Sequence, residues 1–427
     1  MKISTGLIWL SAIAIICSIP TNQGNAAAQV SNAPLEAPPD LRDRSIRDVI
    51  TVIALHNMTS LKEGDWKRVE GGELPAYDPP AGISWNYPWG VTLYGMSRTA
   101  EVTGQKQIGD FVVKHNDIVA KQYDYLAWQK KTYGKMGPLA GLDQIVRLSS
   151  LDNCGSMSSA LAEGLVKHGV EPIPEITNLL KIVADYITNK QSRLEDGTLC
   201  RKPREDETYD RVTIWVDDLY MSCPFLARWG TYSKNARYWD DAAHQIISFA
   251  SRLQDKDGLW YHGYMIGQGK HSPGKWGRGN GWAMVATVEV LSQIPENHKD
   301  RAKLLDILRR HIVGVKRVQA TSGMWRQALD RPDFWEETSC TAMFSYGIAR
   351  AVNRGWISKG NLKYAKKAFA ALKTRVGWDG VVIGTCVGTG IGNDLNYYYI
   401  RKTTVDDSHG IGPILLAGSE LIAAGEK

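Results

Sequence analysis

Cysteine is scarce in this sequence, which has six cysteines among 427 residues. Cys17 follows Ile15 and Ile16, whereas small residues precede a lipoprotein anchor, so lipid attachment at Cys17 is not expected. The other five, an odd number, lie far apart and form no C-x-x-C spacing, which argues against zinc and against a dense disulfide framework. A single disulfide stays open, and the sequence does not pair its partners.

The sequence also lacks a strong charge of either sign and any long apolar run. Lys and Arg number 51 against 45 Asp and Glu, a net charge of +6. No basic run resembles a nucleic-acid-binding stripe, so the charge suits an acidic small substrate better than a nucleic acid. The apolar run Leu7–Ile19 is too short to span a membrane. Nothing in the sequence sets an oligomeric state.

The N-terminus has the pattern of a targeting segment. Lys2 precedes the apolar run, and the small residues Ala26–Ala28 follow it. We therefore predict a signal peptide over residues 1–28 and a mature chain that begins near Gln29 and is exported to the periplasm or the medium. Residues 29–42, which contain three prolines, are predicted to be a flexible lead-in.

Tryptophan is unusually frequent, with 15 Trp against six Phe. An indole stacks on a sugar ring and donates its N–H, so this choice of aromatic residue favours a carbohydrate ligand. A large helical core also consumes Trp, and a chain with 43% apolar residues has enough to build one. Composition alone leaves both interpretations open.

Six segments of one type recur along the chain. In each, a short stretch rich in aromatic or polar residues with Gly and Ser leads straight into an apolar helix pattern, as in LDNCG before SMSSALAEGLVKHG. Their starts are about 60 to 72 residues apart, which gives room for two helices and two connections. The six begin at Trp85, Leu151, Trp215, Trp276, Glu336 and Ser408.

More polar, amphipathic stretches lie between these segments, such as ARYWDDAAHQIISFASRLQ. We predict that the apolar helices form an inner ring and the amphipathic helices an outer ring, an all-α (α/α)6 barrel of about a dozen helices in one domain over residues 43–427. If the inner helices run parallel, their N-termini gather at one end, where helix dipoles favour an acidic ligand.

Chemically distinctive side chains stand at or near those helix starts. Asp152 and Asp217 have two interpretations. Each is either a functional carboxylate or a helix N-cap, which is common for an Asp just before an apolar helix. Asp218 is available as a cap, which leaves Asp217 for other work, and burial beside Trp215 is expected to raise the pKa of Asp217 as a general acid requires. The full set is Tyr87, Asp152, Trp215, Asp217, Trp276, Arg278, Trp282 and His409.

Two further features have both a ligand-binding and an ordinary reading. Arg278 lies among the glycines of segment 277–281, a backbone that a ligand can approach, and its guanidinium suits a carboxylate. Packing and surface charge are the alternative explanation, which the open glycine backbone disfavours. His262 is either a pocket residue or a surface histidine. The GTGIG tract beginning at Gly388 lacks the strand–helix context of a dinucleotide site.

Over residues 43–424 the chain resembles the unsaturated glucuronyl and rhamnogalacturonyl hydrolases of glycoside hydrolase families 88 and 105, with family 105 closer. The most specific motifs are Trp215-Val216-Asp217 and the segment from Trp276 to Trp282. Other matching segments are Trp85-Asn86-Tyr87, Leu151-Asp152-Asn153, His262-Gly263 and the run from Gly388 to Gly412, which contains Tyr397, Tyr398, Tyr399 and His409.

The resemblance implies that Asp217 is the catalytic acid/base and Asp152 a second carboxylate near the scissile region. It implies an oligosaccharide substrate that ends in an unsaturated uronic acid, whose C4=C5 double bond is hydrated without a metal or organic cofactor. The charged stretch 201–213 shows no basic or histidine pair that matches the rhamnose-side contacts of the rhamnogalacturonan branch. The implied pocket residues are Tyr87, Trp215, His262, Trp276, Arg278 and Trp282.

Three other functions remain open from the residues themselves. An inverting glycosidase on the same barrel would use Asp217 and Asp152 as acid and base around a water molecule. A sugar epimerase would want two histidines, and His262 and His409 are the well-placed ones. A noncatalytic glycan-binding protein would explain the Trp residues but would give Asp217 no role.

Overall fold

The computed structural model describes residues 43–167, 172–202 and 212–426. All of them belong to one compact unit, Asn32–Lys427. The predicted signal peptide, residues 1–28, and the predicted lead-in, residues 29–42, lie outside the described residues.

The described residues are mostly helical. In chain order the α-helices are α1 (Ile46–His56), α2 (Tyr87–Thr103), α3 (Lys106–Tyr133), α4 (Asp143–Val146), α5 (Gly155–Lys167), α6 (Pro174–Asp185), α7 (Cys223–Ser233), α8 (Ala236–Leu253), α9 (Gly277–Gln293), α10 (Arg301–Arg317), α11 (Thr338–Asn353), α12 (Leu362–Leu372), α13 (Leu395–Tyr399) and α14 (Ser408–Ala423).

The helices form two concentric rings. Helices α2, α5, α7, α9, α11 and α14 each contact the next, and α14 contacts α2, so the inner ring is closed. Helices α3, α6, α8, α10 and α12 pair with the inner helix that precedes each of them. Helix α1 packs against α14 and completes the sixth pair. The predicted (α/α)6 barrel is confirmed, with its sixth outer helix supplied from the N-terminal side of the ring.

Small residues let the inner helices approach closely where α2 meets α14. A Cβ atom built on Gly412 would lie 2.5 Å from the carbonyl carbon of Val91, and one on Gly95 would lie 2.8 Å from the carbonyl oxygen of Gly412. Only a residue without a side chain fits such a crossing. The outer helix α8 instead buries one face, including Ile246 and Phe249, as its amphipathic pattern predicts.

Short antiparallel strands stand just before several inner helices. Strand β1 pairs with β2 so that Trp215 lies opposite Gly263, β2 pairs with β3, β4 with β5, and β6 with β7. These pairings fix the loops at the N-terminal end of the inner ring. The strands are β1 (Thr213–Trp215), β2 (Gly263–Met265), β3 (Lys270–His271), β4 (Trp325–Arg326), β5 (Glu336–Glu337), β6 (Thr385–Cys386) and β7 (Thr403–Thr404).

A network of buried charged and phenolic side chains crosses the inner ring away from those loops. The Arg228 Nε donates to Glu163 over 2.5 Å, and its Nη2 pairs with Glu289, which also accepts from Tyr94 at 3.1 Å and from Tyr346. Each inner helix contributes to this network. The contributors are Tyr94 and Arg98 of α2, Glu163 of α5, Arg228 of α7, Glu289 of α9, Tyr346 and Arg350 of α11, and Glu420 of α14.

The five cysteines among the described residues, all of those after Cys17, are buried and free, so no disulfide joins them. No helix in the described part of the chain has the length and the apolar character that crossing a membrane requires.

Candidate active site

The β1–β2 pairing brings Asp217 and His262 together. Asp217 lies in the 3-10 turn Val216–Leu219 that follows β1, and the Val216 amide donates to the His262 carbonyl oxygen over 3.0 Å. The His262 Nε2 then lies 3.1 Å from Asp217 Oδ2. His262 is fully buried, whereas 13% of the Asp217 side chain is exposed. Asp217 therefore presents an edge of its carboxylate at the end of the barrel.

The tautomer of a neutral His262 is set by Tyr398. The Tyr398 hydroxyl lies 2.9 Å from His262 Nδ1, and its oxygen accepts from the Gly392 amide at 3.1 Å. When the phenol donates to Nδ1, the ring proton of a neutral His262 sits on Nε2. Nε2 lies 3.1 Å from Asp217 Oδ2, close enough for an ion pair but not aligned as a hydrogen bond.

The prediction that the pKa of Asp217 is raised by burial above its ordinary value is wrong. Burial does raise it, but the opposing effect of His262 and Arg201 is larger, so the pKa of Asp217 lies below its ordinary value. The pKa of the neighbouring residue is raised instead. Burial raises the pKa of Asp218 to about 6, although Asp218 pairs with Arg201. Opposite charge at short range outweighs desolvation at Asp217.

Asp152 and Asp218 share the guanidinium of Arg201. Its Nη1 lies 3.1 Å from Asp152 Oδ2, its Nη2 lies 2.6 Å from Asp218 Oδ1, and the group stacks over the Trp215 ring at 4.3 Å. Neither carboxylate acts as the helix cap considered from the sequence. Asp152 lies in the 3-10 turn Leu151–Asn153, and Ser222 takes the N-cap position of α7.

Sequence reasoning missed Arg201. It stands at the head of the charged stretch 201–213, where no pattern singles out one cation, and residues 203–211 lie outside the described part of the chain. A backbone pairing between Arg201 and Thr213 places it beside β1. The two paired residues stand 12 positions apart in the chain, so neither strand alternation nor a turn motif in the sequence predicts the pairing.

Arg278 is placed differently from the sequence expectation. Its guanidinium is 1% exposed, and its Nη1 and Nη2 donate to the carbonyl oxygens of Cys386 at 2.6 Å and Val387 at 2.8 Å. Both terminal nitrogens of the guanidinium therefore donate to backbone oxygens, and a contact of Arg278 with a substrate carboxylate stays a prediction. The glycines around Arg278 admit protein, since a Cβ on Gly281 would lie 2.3 Å from Met343 Sδ. Arg278 ties the 386–387 segment to the pocket wall.

The aromatic residues of the site divide into buried and accessible rings. Trp276 and Trp282 are each 1% exposed, and Trp276 packs 4.4 Å from the His262 ring. Trp215 is partly exposed and contacts His262 edge-on at 5.6 Å. Of the three tryptophans, Trp215 is therefore the one with exposed ring surface for stacking on a ligand. Trp276 and Trp282 are buried and serve as packing residues.

Tyr87 completes the arrangement from the start of α2. Its ring meets Trp282 edge-on at 6.3 Å, and its hydroxyl contacts His409. Burial raises the pKa of Tyr87, Arg278 opposes that rise, and Asp217 and Asp152 add to it, so these groups lie within electrostatic reach of the phenol. The structure thus brings all eight residues predicted for the site to one end of the barrel.

Within the described part of the chain, no three His, Cys, Asp or Glu side chains are grouped as a bound metal ion would require. The groups that face the pocket are those of acid–base and hydrogen-bond chemistry.

The model of glycosyl hydrolase family 88 matches residues 67–424, most of the chain. The chain belongs to glycosyl hydrolase family 88. This family 88 protein is 31% identical over 220 residues to the unsaturated rhamnogalacturonyl hydrolase YesR of Bacillus subtilis, covering 51% of this chain and 62% of YesR. It is 26% identical over 219 residues to the unsaturated 3S-rhamnoglycuronyl hydrolase of an Alteromonas strain, covering 49% of this chain and 51% of that enzyme.

The fold of the family 88 protein also matches a solved structure. A family 105 glycoside hydrolase from C. acetobutylicum superposes with a TM-score of 0.64 at 25% identity, covering 79% of this chain and 93% of the other. The relationship to families 88 and 105 expected from the motifs is confirmed.

Proposed function

We propose that this glycoside hydrolase acts on oligosaccharides that end in an unsaturated uronic acid, the product of a polysaccharide lyase, and releases that sugar from the end of the chain. The two curated relatives are named for hydrolysis of unsaturated rhamnogalacturonyl and rhamnoglycuronyl substrates. The proximity of Tyr87 to Asp152, Asp217 and Arg278 at one end of the barrel supports the proposal.

The proposal rests on one observation, the different environments of the three carboxylates. Asp152 and Asp218 are both paired with Arg201, while Asp217 faces His262 and keeps an exposed edge. The Asp218 side chain is 1% exposed, and Asp152 is held by the Arg201 guanidinium, whereas 13% of the Asp217 side chain is exposed. Asp217 is thus the carboxylate placed for proton transfer to a ligand, and hydration of an activated double bond needs only one.

The chemistry proceeds in two proton transfers at Asp217. The terminal uronate has an enol ether, in which C4=C5 is conjugated with the carboxylate and bears the ring oxygen at C5. The Asp217 carboxylic acid protonates C4, and positive charge develops at C5, shared with the ring oxygen. The Asp217 carboxylate then accepts a proton from the water that adds at C5. The resulting hemiketal opens and expels the remaining oligosaccharide.

The lowered pKa of Asp217 in the free enzyme has a place in this scheme. His262, whose Nε2 lies 3.1 Å from Asp217 Oδ2, and Arg201 favour the carboxylate, the form that accepts a proton from water. Entry of the anionic uronate adds like charge beside Asp217 and excludes water, and both effects favour its protonated form. The exposed part of Trp215, whose ring Arg201 covers on one face, offers the stacking surface. Asp152, fixed by Arg201, offers acceptors for hydroxyl groups.

An inverting glycosidase is the second candidate, because the same two carboxylates, Asp217 and Asp152, stand in the pocket. It requires a second carboxylate free to act as base toward a water molecule. The ion pair between Asp152 and Arg201, at 3.1 Å, disfavours that role.

The purified protein is expected to abolish the ultraviolet absorbance of the conjugated double bond in lyase-generated oligosaccharides, and to leave their saturated counterparts uncleaved. Hydration destroys the conjugation, whereas ordinary glycoside hydrolysis releases the unsaturated sugar with its absorbance intact. A panel of unsaturated disaccharides from pectin, ulvan, arabinogalactan and glycosaminoglycans identifies the sugar after the cleaved bond. Sugar release with unchanged absorbance would favour the inverting reaction.

Replacing His262 with Asn is expected to move the alkaline limb of the kcat/KM profile to higher pH. The substitution removes the partner that lowers the pKa of Asp217, while burial, which raises it, remains. The acid form of Asp217 then persists to higher pH, and kcat/KM reports the ionisations of the free enzyme. Tyr398→Phe is the matched comparison, since it keeps the imidazole and should shift the limb less. A limb at unchanged pH in His262→Asn would contradict the pairing.

A further inference from the structure

A second histidine of the pocket is held by a carboxylate. Asp407 is the N-cap of α14: its Oδ1 accepts from the His409 amide at 3.1 Å and lies 2.5 Å from His409 Nδ1. Its Oδ2 accepts from the Thr404 hydroxyl at 3.0 Å. On the other side of the ring, His409 Nε2 lies 2.6 Å from the Tyr87 hydroxyl. The three side chains form a chain from carboxylate to imidazole to phenol.

The direction of each hydrogen bond in this chain follows from the carboxylate. An ionised Asp407 only accepts, so the proton of a neutral His409 sits on Nδ1. The Nε2 atom is then a bare acceptor, and the Tyr87 hydroxyl must donate to it. With its proton committed, Tyr87 offers only the lone pairs of its oxygen to a ligand.

The two pocket histidines are thus arranged in opposite senses. His262 receives the Tyr398 hydroxyl at Nδ1 and has Nε2 3.1 Å from Asp217, whereas His409 has Nδ1 beside Asp407 and directs a lone pair of Nε2 at Tyr87. Buried His409 is 8% exposed, so solvent does not randomise its tautomer. The charged groups around it are Asp407 on its own helix, Arg278 on α9 and Glu337 at the start of α11.

We propose that Asp407 and His409 are positioning residues that make Tyr87 a hydrogen-bond acceptor for a ring hydroxyl of the terminal uronate. This inference rests on the proposed function. A C4=C5 unsaturated uronate linked through C1 has two free hydroxyls, on C2 and C3, and its carboxylate and ring oxygen only accept. An acceptor-only Tyr87 pairs with one of those hydroxyls and excludes the carboxylate from its position, which sets the orientation of the ring over Asp217.

The tautomers can be read without any substrate. In protein labelled with 15N at histidine, long-range 15N–1H correlation spectra distinguish Nδ1–H from Nε2–H rings. His409 is expected as the Nδ1–H form and His262 as the Nε2–H form, each assigned by its loss in a His→Asn variant. In Asp407→Ala the His409 signal is expected to leave the Nδ1–H form. Asp407→Asn keeps an oxygen acceptor and a good N-cap, so the Nδ1–H form should be retained. Observation of Nε2–H on His409 in the wild type would overturn the proposal.

The acceptor role is tested with O-methylated substrates. Methylation removes the hydroxyl proton and leaves an acceptor, so one of the two mono-O-methyl uronides, at C2 or C3, should lose about tenfold in kcat/KM with the wild type. Tyr87→Phe, which lacks the oxygen, should lose about tenfold on the unmodified substrate and should no longer distinguish that ether from it. If Tyr87→Phe discriminates as the wild type does, Tyr87 is not the acceptor.

The contribution of His409 acts through Tyr87, which a double variant tests. His409→Phe keeps an aromatic ring of similar size, frees the Tyr87 proton and should reduce the discrimination. The double variant Tyr87→Phe/His409→Phe should be no worse than Tyr87→Phe alone, since the two groups act in series. Additive losses would indicate a purely structural role for His409 and contradict the proposal. A wild type that leaves the double bond intact refutes the proposed function instead, while the tautomer spectra still decide the geometry.

Discussion

Asp217→Asn is expected to lower kcat at least about a hundredfold, the low end for general acid catalysis, while substrate still binds. The amide has the size of the carboxylate, so it can keep the contact with His262 Nε2, which lies 3.1 Å from Asp217 Oδ2. It carries no transferable proton, so protonation at C4 and proton removal from water both fail. Loss of the double-bond absorbance under single-turnover conditions gives the rate, and calorimetric titration of the variant gives the affinity.

The neighbouring Asp218→Asn variant is the matched control for that experiment. Asp218 has the same side chain, lies one residue away and is 1% exposed, but it pairs with Arg201 and does not face the pocket. Loss of the Asp218 charge should disturb the position of Arg201 and lower the stability of the protein, with a much smaller effect on the rate of the chemical step. Full activity of Asp217→Asn, or an equal loss in both variants, would show that Asp217 is not the proton donor.

Arg228→Met is expected to lower the free energy of unfolding by about 3–5 kcal/mol, the usual cost of breaking a buried ion pair from one side. The guanidinium is 1% exposed and neutralises Glu163 and Glu289 inside the ring of inner helices. The thioether fills the same space but supplies no charge, so both carboxylates lose that cation. Urea unfolding followed by tryptophan fluorescence measures the change.

Arg310→Met removes an exposed ion pair and serves as the comparison. Arg310 lies 3.0 Å from Asp306 on α10, and the two side chains are 51% and 68% exposed. Such a surface pair contributes about 0–1 kcal/mol, so this variant should unfold almost as the wild type does. If Arg228→Met were equally harmless, the buried network would contribute little to the stability of the barrel.

Much of the fold could be predicted because each repeat has its own local sequence pattern. Each of the six segments leads into an inner helix, and the apolar pattern of those helices reports burial on every face. The sixth outer helix, α1, could not be read in this way. It lies more than 300 residues before its partner α14, and no local signal records that pairing.

The predicted side chains lie together at one end of the barrel, but Arg201 and the electrostatics of the site were not predicted. Aromatic and acidic residues at helix starts mark the pocket, since inner helices share one end. The sign of the Asp217 pKa shift depended on His262 and Arg201, and the engagement of Arg278 depended on the carbonyl oxygens of the 386–387 segment. Those contacts join residues that are far apart in the chain, so no motif or residue spacing in the sequence predicts them.

The pairing of α1 with α14 has a consequence for folding. Five helix pairs join segments adjacent in the chain, so they can form at a small loop entropy. The sixth pair joins the first and last of the described helices, which makes it the pair of highest sequence separation. During synthesis from the N-terminus, α1 cannot pack against α14 until α14 has been made. The pocket, which includes Asp407 and His409 at the start of α14, therefore cannot be complete before that step.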